Sequence, residues 1–88
     1  MGNRRRATPA ELAGSWPDLP SADPAGEAAR RFALNLQAAI RGRSVRSVAM
    51  EAGIDESTIR KVLAGAAWPD LRTISMLEAA LGVELHRR

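Results

Sequence analysis

The fold is decided by residues 44–65, which read SVRSVAMEAGIDESTIRKVLAG. Ser44 and Asp55 are of the residue types that cap helix N-termini, and each precedes a run of apolar residues at helical spacing. Gly53 lies between the two runs and tolerates the positive φ that a tight turn between helices requires. The segment therefore predicts one helix over about 45–52 and a second over 56–64, joined by a glycine turn.

The two predicted helices must approach closely and attach to a common core. Ala49, four positions before Gly53, places a small side chain where the helices meet. Apolar residues occupy the positions that fix the pair to the core: Val48, Ala52, Ile54, Ile59 and Val62. The second helix then directs its polar and small residues outward, namely Ser57, Arg60, Lys61 and Ala64, with Glu56 at the N-terminal edge. A helix face without large apolar side chains fits the major groove of DNA.

Longer helices are predicted on both sides of this pair. Asp23 followed by Pro24 is typical of a helix start, and the helix that begins there extends to about Arg41. Asp70 caps a further helix, which Gly82 ends. The apolar stripes of these helices, at spacings of three and four, are Ala25, Ala29, Phe32, Leu36 and Ile40 in the first and Leu71, Ile74, Leu77 and Leu81 in the second. We therefore predict an all-α fold with one domain over residues 24–88.

The first 23 residues form a different kind of segment. Thr8 and Glu11 match a capping box with proline in the first turn, which predicts a short helical turn. Prolines at positions 17, 20 and 24 exclude a long helix. We expect residues 1–23 to be a partly ordered N-terminal extension, with Trp16 packed onto the domain and Trp68 in core or loop packing. The basic tip Arg4-Arg5-Arg6 fits either a DNA-grasping arm or a disordered tail.

Composition limits the class of protein. The 88 residues suffice for one small domain, and the absence of cysteine excludes disulfides and fits a cytoplasmic location. No apolar run approaches the roughly 20 residues that span a bilayer, so we expect no membrane partner. His86 stands alone near the terminus, and no nucleophile–base set, phosphate-binding glycine loop or metal-ligand cluster is found. The sequence predicts a protein that is not an enzyme and holds no cofactor or metal, while its net charge of +3 permits nucleic-acid binding.

Residues 44–65, together with residues 69–83, resemble the Cro/CI-type (XRE) helix-turn-helix family, and the resemblance covers roughly residues 25–85. It implies a compact bundle of four to five helices like that of the lambda repressor. It also implies that the third helix, about 56–64, enters the major groove of double-stranded DNA. The implied function is that of a small, repressor-like transcriptional regulator of bacterial or phage type.

The resemblance assigns roles to individual residues. Four occupy positions where the family contacts base edges: Glu56, Ser57, Arg60 and Lys61. Five occupy positions that contact phosphates or flank such positions: Arg43, Ser44, Arg46, Thr58 and Arg72. The chain departs from the family in having Val45 where many members have glutamine, and Ala66-Ala67-Trp68 where the loop is often basic. These departures predict weak DNA binding unless the basic tip or a second subunit adds contacts.

Two further expectations concern partners. A homodimer is expected mainly on DNA, with weak self-association in free solution, because the chain stops soon after the last predicted helix. The alternative function is an antitoxin-like or other protein-interaction module of the same fold. In that case the N-terminal extension with Trp16 is the arm that binds a protein partner.

Overall fold

The computed structural model describes residues 6–86 and shows an all-helical protein. A short 3₁₀ helix, Ala10–Leu12, precedes four α-helices: α1 (Pro24–Ile40), α2 (Val45–Ala52), α3 (Glu56–Leu63) and α4 (Leu71–Leu81). Residues 6–86 contain no β-strand, only an isolated antiparallel bridge between Ala13 and Ser21. The predicted all-α class is confirmed, and the predicted helix bounds are correct to within one residue. None of the helices in this range combines the length and apolarity needed to cross a bilayer.

Three of the four predicted helix caps are present. The Asp23 carboxylate accepts a 2.8 Å hydrogen bond from the Gly26 amide at the start of α1. Ser44 Oγ accepts from the Ser47 amide at 3.0 Å, and Asp70 Oδ1 accepts from the Thr73 amide at 2.8 Å. Each bond satisfies a backbone donor that the first turn of a helix leaves unpaired, which explains why these helices begin where the sequence predicts.

The fourth cap was predicted wrongly. Asp55 has the extended backbone of a capping residue, with φ −70° and ψ 139°, but its side chain makes no capping hydrogen bond. α3 begins instead with the Asp55 carbonyl, which accepts from the Thr58 amide at 3.1 Å. The carboxylate therefore lies free of the helix end, in the cleft described below.

The core lies where α1, α2, α3 and α4 meet. α1 packs against α3, and α2 packs against both α3 and α4. The residues that form the buried cluster are Phe32, Leu36, Ile40, Val48, Ala49, Ala52, Ile59, Val62, Leu77 and Leu85. The predicted inner faces of α2 and α3 are thus confirmed, and they hold the two short helices against the longer ones.

Two residues of the predicted apolar stripes are exposed. Ala25 lies on the α1 stripe, but an open cavity of about 180 Å³, lined also by Trp68 and His86, faces it instead of a packed neighbour. Leu71 is 80% exposed. It precedes the buried Leu77 by six residues and so lies about 120° away from it around α4. The prediction was wrong at the first apolar residue of each helix. Apolar spacing shows which side of a helix faces the core, but it does not show how far the neighbouring elements extend along that side.

The chain after α4 packs against the helices and is hydrogen-bonded to α1 and α4. Leu85 is 1% exposed, and its carbonyl accepts a 2.8 Å hydrogen bond from Asn35 Nδ2 of α1. The Glu78 carboxylate accepts from the amides of His86 and Leu85, at 3.1 and 2.8 Å. These donors hold the pKa of Glu78 below its usual value. Residues 83–86 thus form a non-helical anchor after α4.

The described part of the N-terminal segment, residues 6–23, is called the strap here; Arg4 and Arg5 of the predicted basic tip lie outside the described residues. Its predicted capping box is confirmed, because the Thr8 amide donates to Glu11 Oε1 at 2.8 Å and the Glu11 amide to Thr8 Oγ1 at 3.3 Å. The boundary at residue 23, between an extension and a domain over residues 24–88, remains a prediction.

The second half of the strap is bound to α1. Arg30 Nη1 donates to the Pro17 carbonyl at 3.0 Å, and the Ser21 amide donates to Glu27 Oε1 at 2.8 Å. Glu27 also pairs with Arg30 and Arg31. The hydrogen bond from Arg30, followed by that from the Ser21 amide, lowers the pKa of Glu27 from 4.5 to about 2.

Candidate DNA-binding surface

The turn between α2 and α3 has the geometry that the glycine predicts. Gly53 adopts a left-handed conformation, with φ 74° and ψ 31°. The amides of Gly53 and Ile54 both donate to the Ala49 carbonyl, at 2.9 and 3.1 Å, and so close the end of α2. Ala49 is 4% exposed, as expected for a small residue where the two helices meet. The turn therefore fixes the direction in which α3 leaves α2.

α3 has one buried and one exposed side. Ile59 is fully buried and Val62 is 2% exposed. The opposite side, called the reading face here, consists of Ser57, Arg60, Lys61 and Ala64, which are all exposed, with the half-buried Glu56 at its edge. The structure thus places the four predicted base-reading residues on one accessible surface of one helix.

Arg60 is not a free cation on the reading face. Its guanidinium pairs with the Glu56 carboxylate one helical turn earlier, and Arg60 Nε lies 3.0 Å from Glu56 Oε2. Exposed pairs of this kind contribute less than about 1 kcal/mol, so a better anionic partner displaces the carboxylate at little cost. Lys61 forms no salt bridge within residues 6–86 and is the freer of the two bases.

The residues predicted to contact phosphate fall into two groups. Thr58 and Arg72 line the same open cleft, about 450 Å³ in volume, between the α2–α3 turn and the start of α4, together with Asp55. The charge of Arg72 adds to the hydrogen bonds from Thr73 that lower the pKa of Asp70. Three other residues lie at the start of α2: Arg43, Ser44 and Arg46.

The second group is partly engaged within the protein. Ser44 Oγ already accepts from the Ser47 amide as a cap, and Arg43, which precedes that cap, pairs with Glu51 of α2. Arg46 is exposed and forms no salt bridge in the described residues. These bases therefore flank the α2 N-terminus, with one of them held by a carboxylate.

The family model for the helix-turn-helix matches residues 39–87, which is more than half of the chain. The chain belongs to the XRE-type helix-turn-helix family of DNA-binding regulators. Among solved structures, the restriction-modification controller protein C.AhdI from Aeromonas hydrophila is similar, with 28% sequence identity and a TM-score of 0.57. The similarity covers 61% of this chain and 85% of that one. The curated proteins contain no match.

The extent of the helix-turn-helix match divides the molecule. All nine predicted site residues, from Arg43 to Arg72, lie inside residues 39–87. The strap and most of α1 precede the match. The family assignment therefore concerns the reading face and its supports, while the strap has to be interpreted from its own contacts.

Sequence reasoning missed the ion pairs of this helix-turn-helix unit. The spacing of Glu56 and Arg60, four residues apart, is the usual signal for a pair on a helix and was available. Arg43 and Glu51 are eight residues apart, with Arg43 before the α2 cap, and no helical spacing predicts their contact. Sequence reasoning also did not identify the exposed Met50, which lines the same cleft as Thr58.

No group of His, Cys, Asp or Glu within residues 6–86 has the arrangement that would hold a metal ion. The predicted absence of a cofactor stays an expectation. Members of this family are DNA-binding regulators, and the reading face consists of hydrogen-bond donors, cations and one carboxylate on a helix surface.

Proposed function

We propose that this chain is a small sequence-specific transcriptional regulator that inserts α3 into the major groove and represses transcription where it binds. The observation that carries the proposal is the exposed reading face, which the glycine turn and the buried Ile59 and Val62 hold outward. A helix about as wide as the groove, with polar side chains at its surface, reaches base edges without unfolding the duplex.

The reading-face residues have complementary chemistry. Arg60 and Lys61 donate to the O6 and N7 acceptors of guanine, while Ser57 bonds to either donors or acceptors. Glu56 accepts from the N4 amino group of cytosine once Arg60 has turned toward a base. We therefore expect a preference for G·C pairs, with the two long bases and the carboxylate contacting neighbouring positions.

The phosphate contacts come from residues on either side of α3. Thr58 and Arg72 line one cleft, which supports their binding one stretch of DNA backbone. Arg43, Ser44 and Arg46 at the start of α2 bind a second stretch. Cationic contacts of this kind make affinity fall as salt rises.

In the regulatory part of the proposal, the protein represses transcription by occupying its DNA site. C.AhdI is by its name a controller protein of a restriction-modification system, and we propose a comparable controlling role in transcription for this chain. Two copies pair on DNA at half-sites about one helical turn apart. Light scattering should show a monomer in free solution, and a tight dimer without DNA would contradict this point.

The proposal is tested by selecting bound sequences from random duplex DNA and then measuring affinity for the selected duplex. Arg60→Ala should weaken specific binding about 10- to 100-fold, because a base contact of this type contributes about 1–3 kcal/mol. Lys61→Ala should act in the same direction.

Arg31→Ala is the matched control. Like Arg60, Arg31 pairs with a glutamate four residues earlier, and the two side chains are 62% and 60% exposed. It lies on α1, outside the proposed interface, so its loss should change affinity no more than about twofold. Equal affinities of wild type, Arg60→Ala and Lys61→Ala for the selected duplex would rule out the reading face as the surface that contacts the bases.

The protein-interaction alternative has no observation in its favour. The indole of Trp16 is used inside the chain, as described next, and a partner at that site has to displace those contacts.

A further inference from the structure

Residues 7–16 of the strap contact the C-terminal end of α3 and the loop that follows it. Trp16 Nε1 donates to the Leu63 carbonyl at 2.9 Å, and the Ala10 amide donates to the Gly65 carbonyl at 2.9 Å. In the opposite direction, Trp68 Nε1 in the loop after α3 donates to the Ala7 carbonyl at 2.9 Å. Three hydrogen bonds thus join residues 7–16 to residues 63–68, over separations of 47 to 61 positions in the chain.

These donors meet a need that α3 cannot meet itself. The last carbonyls of a helix have no amide of a following turn to accept from, and an unpaired carbonyl away from water is costly. Leu63 is the last residue of α3. The indole N–H of Trp16 therefore completes the hydrogen bonding of the helix end from outside the helix.

The Trp16 ring also lies directly on the turn that ends α3. Gly65 is buried and has φ +71°, and a Cβ atom built on it would lie 2.6 and 2.7 Å from two atoms of the Trp16 ring. Ring and backbone therefore touch with no space for any side chain between them. Glycine is required here both by the backbone conformation and by the ring.

The same turn of α3 carries the two long bases of the reading face. Arg60 and Lys61 lie in the last turn. Their backbone carbonyls accept from the amides of Ala64, at 3.0 Å, and Ala66, at 2.8 Å. If the end of α3 frays, these hydrogen bonds are lost and both side chains lose their fixed direction.

The strap ties this helix end to α1. Pro17 and Ser21, just after Trp16, are hydrogen-bonded to Arg30 and Glu27 of α1. Leu12 accepts from Ser21 Oγ at 2.6 Å, which closes the strap on itself. Because α1 packs on α3, the strap joins two elements that already touch and limits their relative motion.

We propose that Trp16 is a positioning residue for DNA recognition: it holds the C-terminal turn of α3, and with it Arg60 and Lys61, in the orientation that binds bases. Trp16 does not itself contact DNA. The inference rests on the proposed function for its consequence, but the physical restraint on α3 exists with or without DNA. The strap lies before residue 39, where the helix-turn-helix match begins, so family membership does not supply this restraint.

The restraint is tested first without DNA, by amide hydrogen exchange in the full chain. Trp16→Phe keeps an aromatic ring and removes the N–H donor, and Trp16→Ala removes both. We expect faster exchange at the amides of Ala64, Gly65 and Ala66, by about fivefold in Trp16→Phe and more in Trp16→Ala. The Gly82 amide, which donates to Glu78 at the end of α4, is the internal control and should be unchanged.

Leu19→Ala is the matched control variant. Leu19 belongs to the strap and is 54% exposed, and it has no hydrogen bond to α3 among the described contacts. It should leave exchange at all four amides unchanged. If Trp16→Phe accelerates the Gly82 amide as much as the three α3 amides, Trp16 has only a general stabilising role, and the proposal is overturned.

The link to recognition is then tested with the selected duplex and a scrambled duplex of equal length, at a temperature where circular dichroism shows all variants folded. Trp16→Phe should weaken binding to the selected duplex about fivefold, while binding to the scrambled duplex stays within about twofold. Equal losses on both duplexes would overturn the positioning role. If wild type selects no sequence at all, the proposed function fails, whereas the hydrogen-exchange result still decides the restraint. If Trp16→Ala does not fold, Trp16→Phe carries both measurements.

Discussion

The tetrapeptide Trp-Pro-Asp-Leu occurs twice, at residues 16–19 and 68–71, and the two copies have different structures. The second copy begins α4, with Asp70 as its cap. The first begins no helix, although its aspartate and leucine have the same spacing. The difference follows from the next residue, since Pro20 disfavours helical backbone at Leu19, whereas Arg72 and Thr73 continue the helix. Four identical residues therefore do not specify a structure without their neighbours.

The tryptophans of the two copies nevertheless have similar roles. Trp16 of the strap donates to the end of α3, and Trp68 after α3 donates to the strap. Each indole N–H pairs with a backbone carbonyl of the other segment. The Trp68 ring also has the Arg6 guanidinium 6.0 Å from its centroid. The two copies thus face the same junction from opposite sides.

The largest effect is expected from adding a side-chain atom at Gly65, directly beneath the Trp16 ring. Gly65→Ala should destabilise the protein by about 3 kcal/mol, because a Cβ atom collides with the indole and the backbone is left-handed. Gly82→Ala is the control: its φ of +69° is similar, but nothing lies within 4 Å of the added atom. Its cost should be about 1 kcal/mol. Chemical denaturation measures the free energy of unfolding of both variants. Equal losses would mean that the Trp16 ring does not pack directly against Gly65.

The second effect comes from the other tryptophan. Trp68→Phe keeps a ring and leaves the Ala7 carbonyl without its donor, so we expect a loss of about 1 kcal/mol. Combined with Trp16→Phe, the total loss should be smaller than the sum, because either substitution alone already loosens the same junction between the strap and the end of α3. Denaturation of the two single variants and the double variant gives this coupling, and strict additivity would show that the two indoles act independently.

The smallest effect concerns the aspartates of the two copies. Asp70→Ala removes the cap of α4 and should lower the Tm by a few degrees at neutral pH, whereas Asp18→Ala should leave it within about one degree. The hydrogen bond from the Thr73 amide lowers the pKa of Asp70.

The stabilisation from Asp70 is therefore complete above the usual aspartate pKa of 3.8 and is lost as the pH falls through the lowered pKa of the folded state. Thermal melts at decreasing pH should show the Asp70→Ala variant converging on wild type. A constant difference down to the lowest pH would contradict the cap.

Local signals in the sequence were enough for much of the fold. Gly53 with Ala49 four residues earlier predicts the turn, and Asp23, Ser44 and Asp70 predict three helix starts, because each signal depends on neighbours within one helical turn. The same reasoning failed at Asp55, whose side chain leaves the helix end. It also failed at Leu71, whose exposure depends on where other elements end.

The candidate site was predictable to a similar degree. The outward direction of Ser57, Arg60 and Lys61 follows from helical periodicity once Ile59 and Val62 are assigned to the core. The partner of Trp16, in contrast, is a carbonyl 47 residues away. No spacing rule connects the two, and only the packed structure shows the contact.

The ion pairs of Arg60 with Glu56 and of Arg43 with Glu51 have a consequence for how this protein meets a duplex. In both pairs the carboxylate offsets the charge of the guanidinium group, which lowers the local positive potential that a run of phosphates meets. Under the proposed function, Arg60 exchanges the Glu56 carboxylate for guanine and gains hydrogen bonds that random sequence does not offer. We therefore expect brief residence on random genomic sequence and a salt dependence weaker than the number of arginines at the surface suggests.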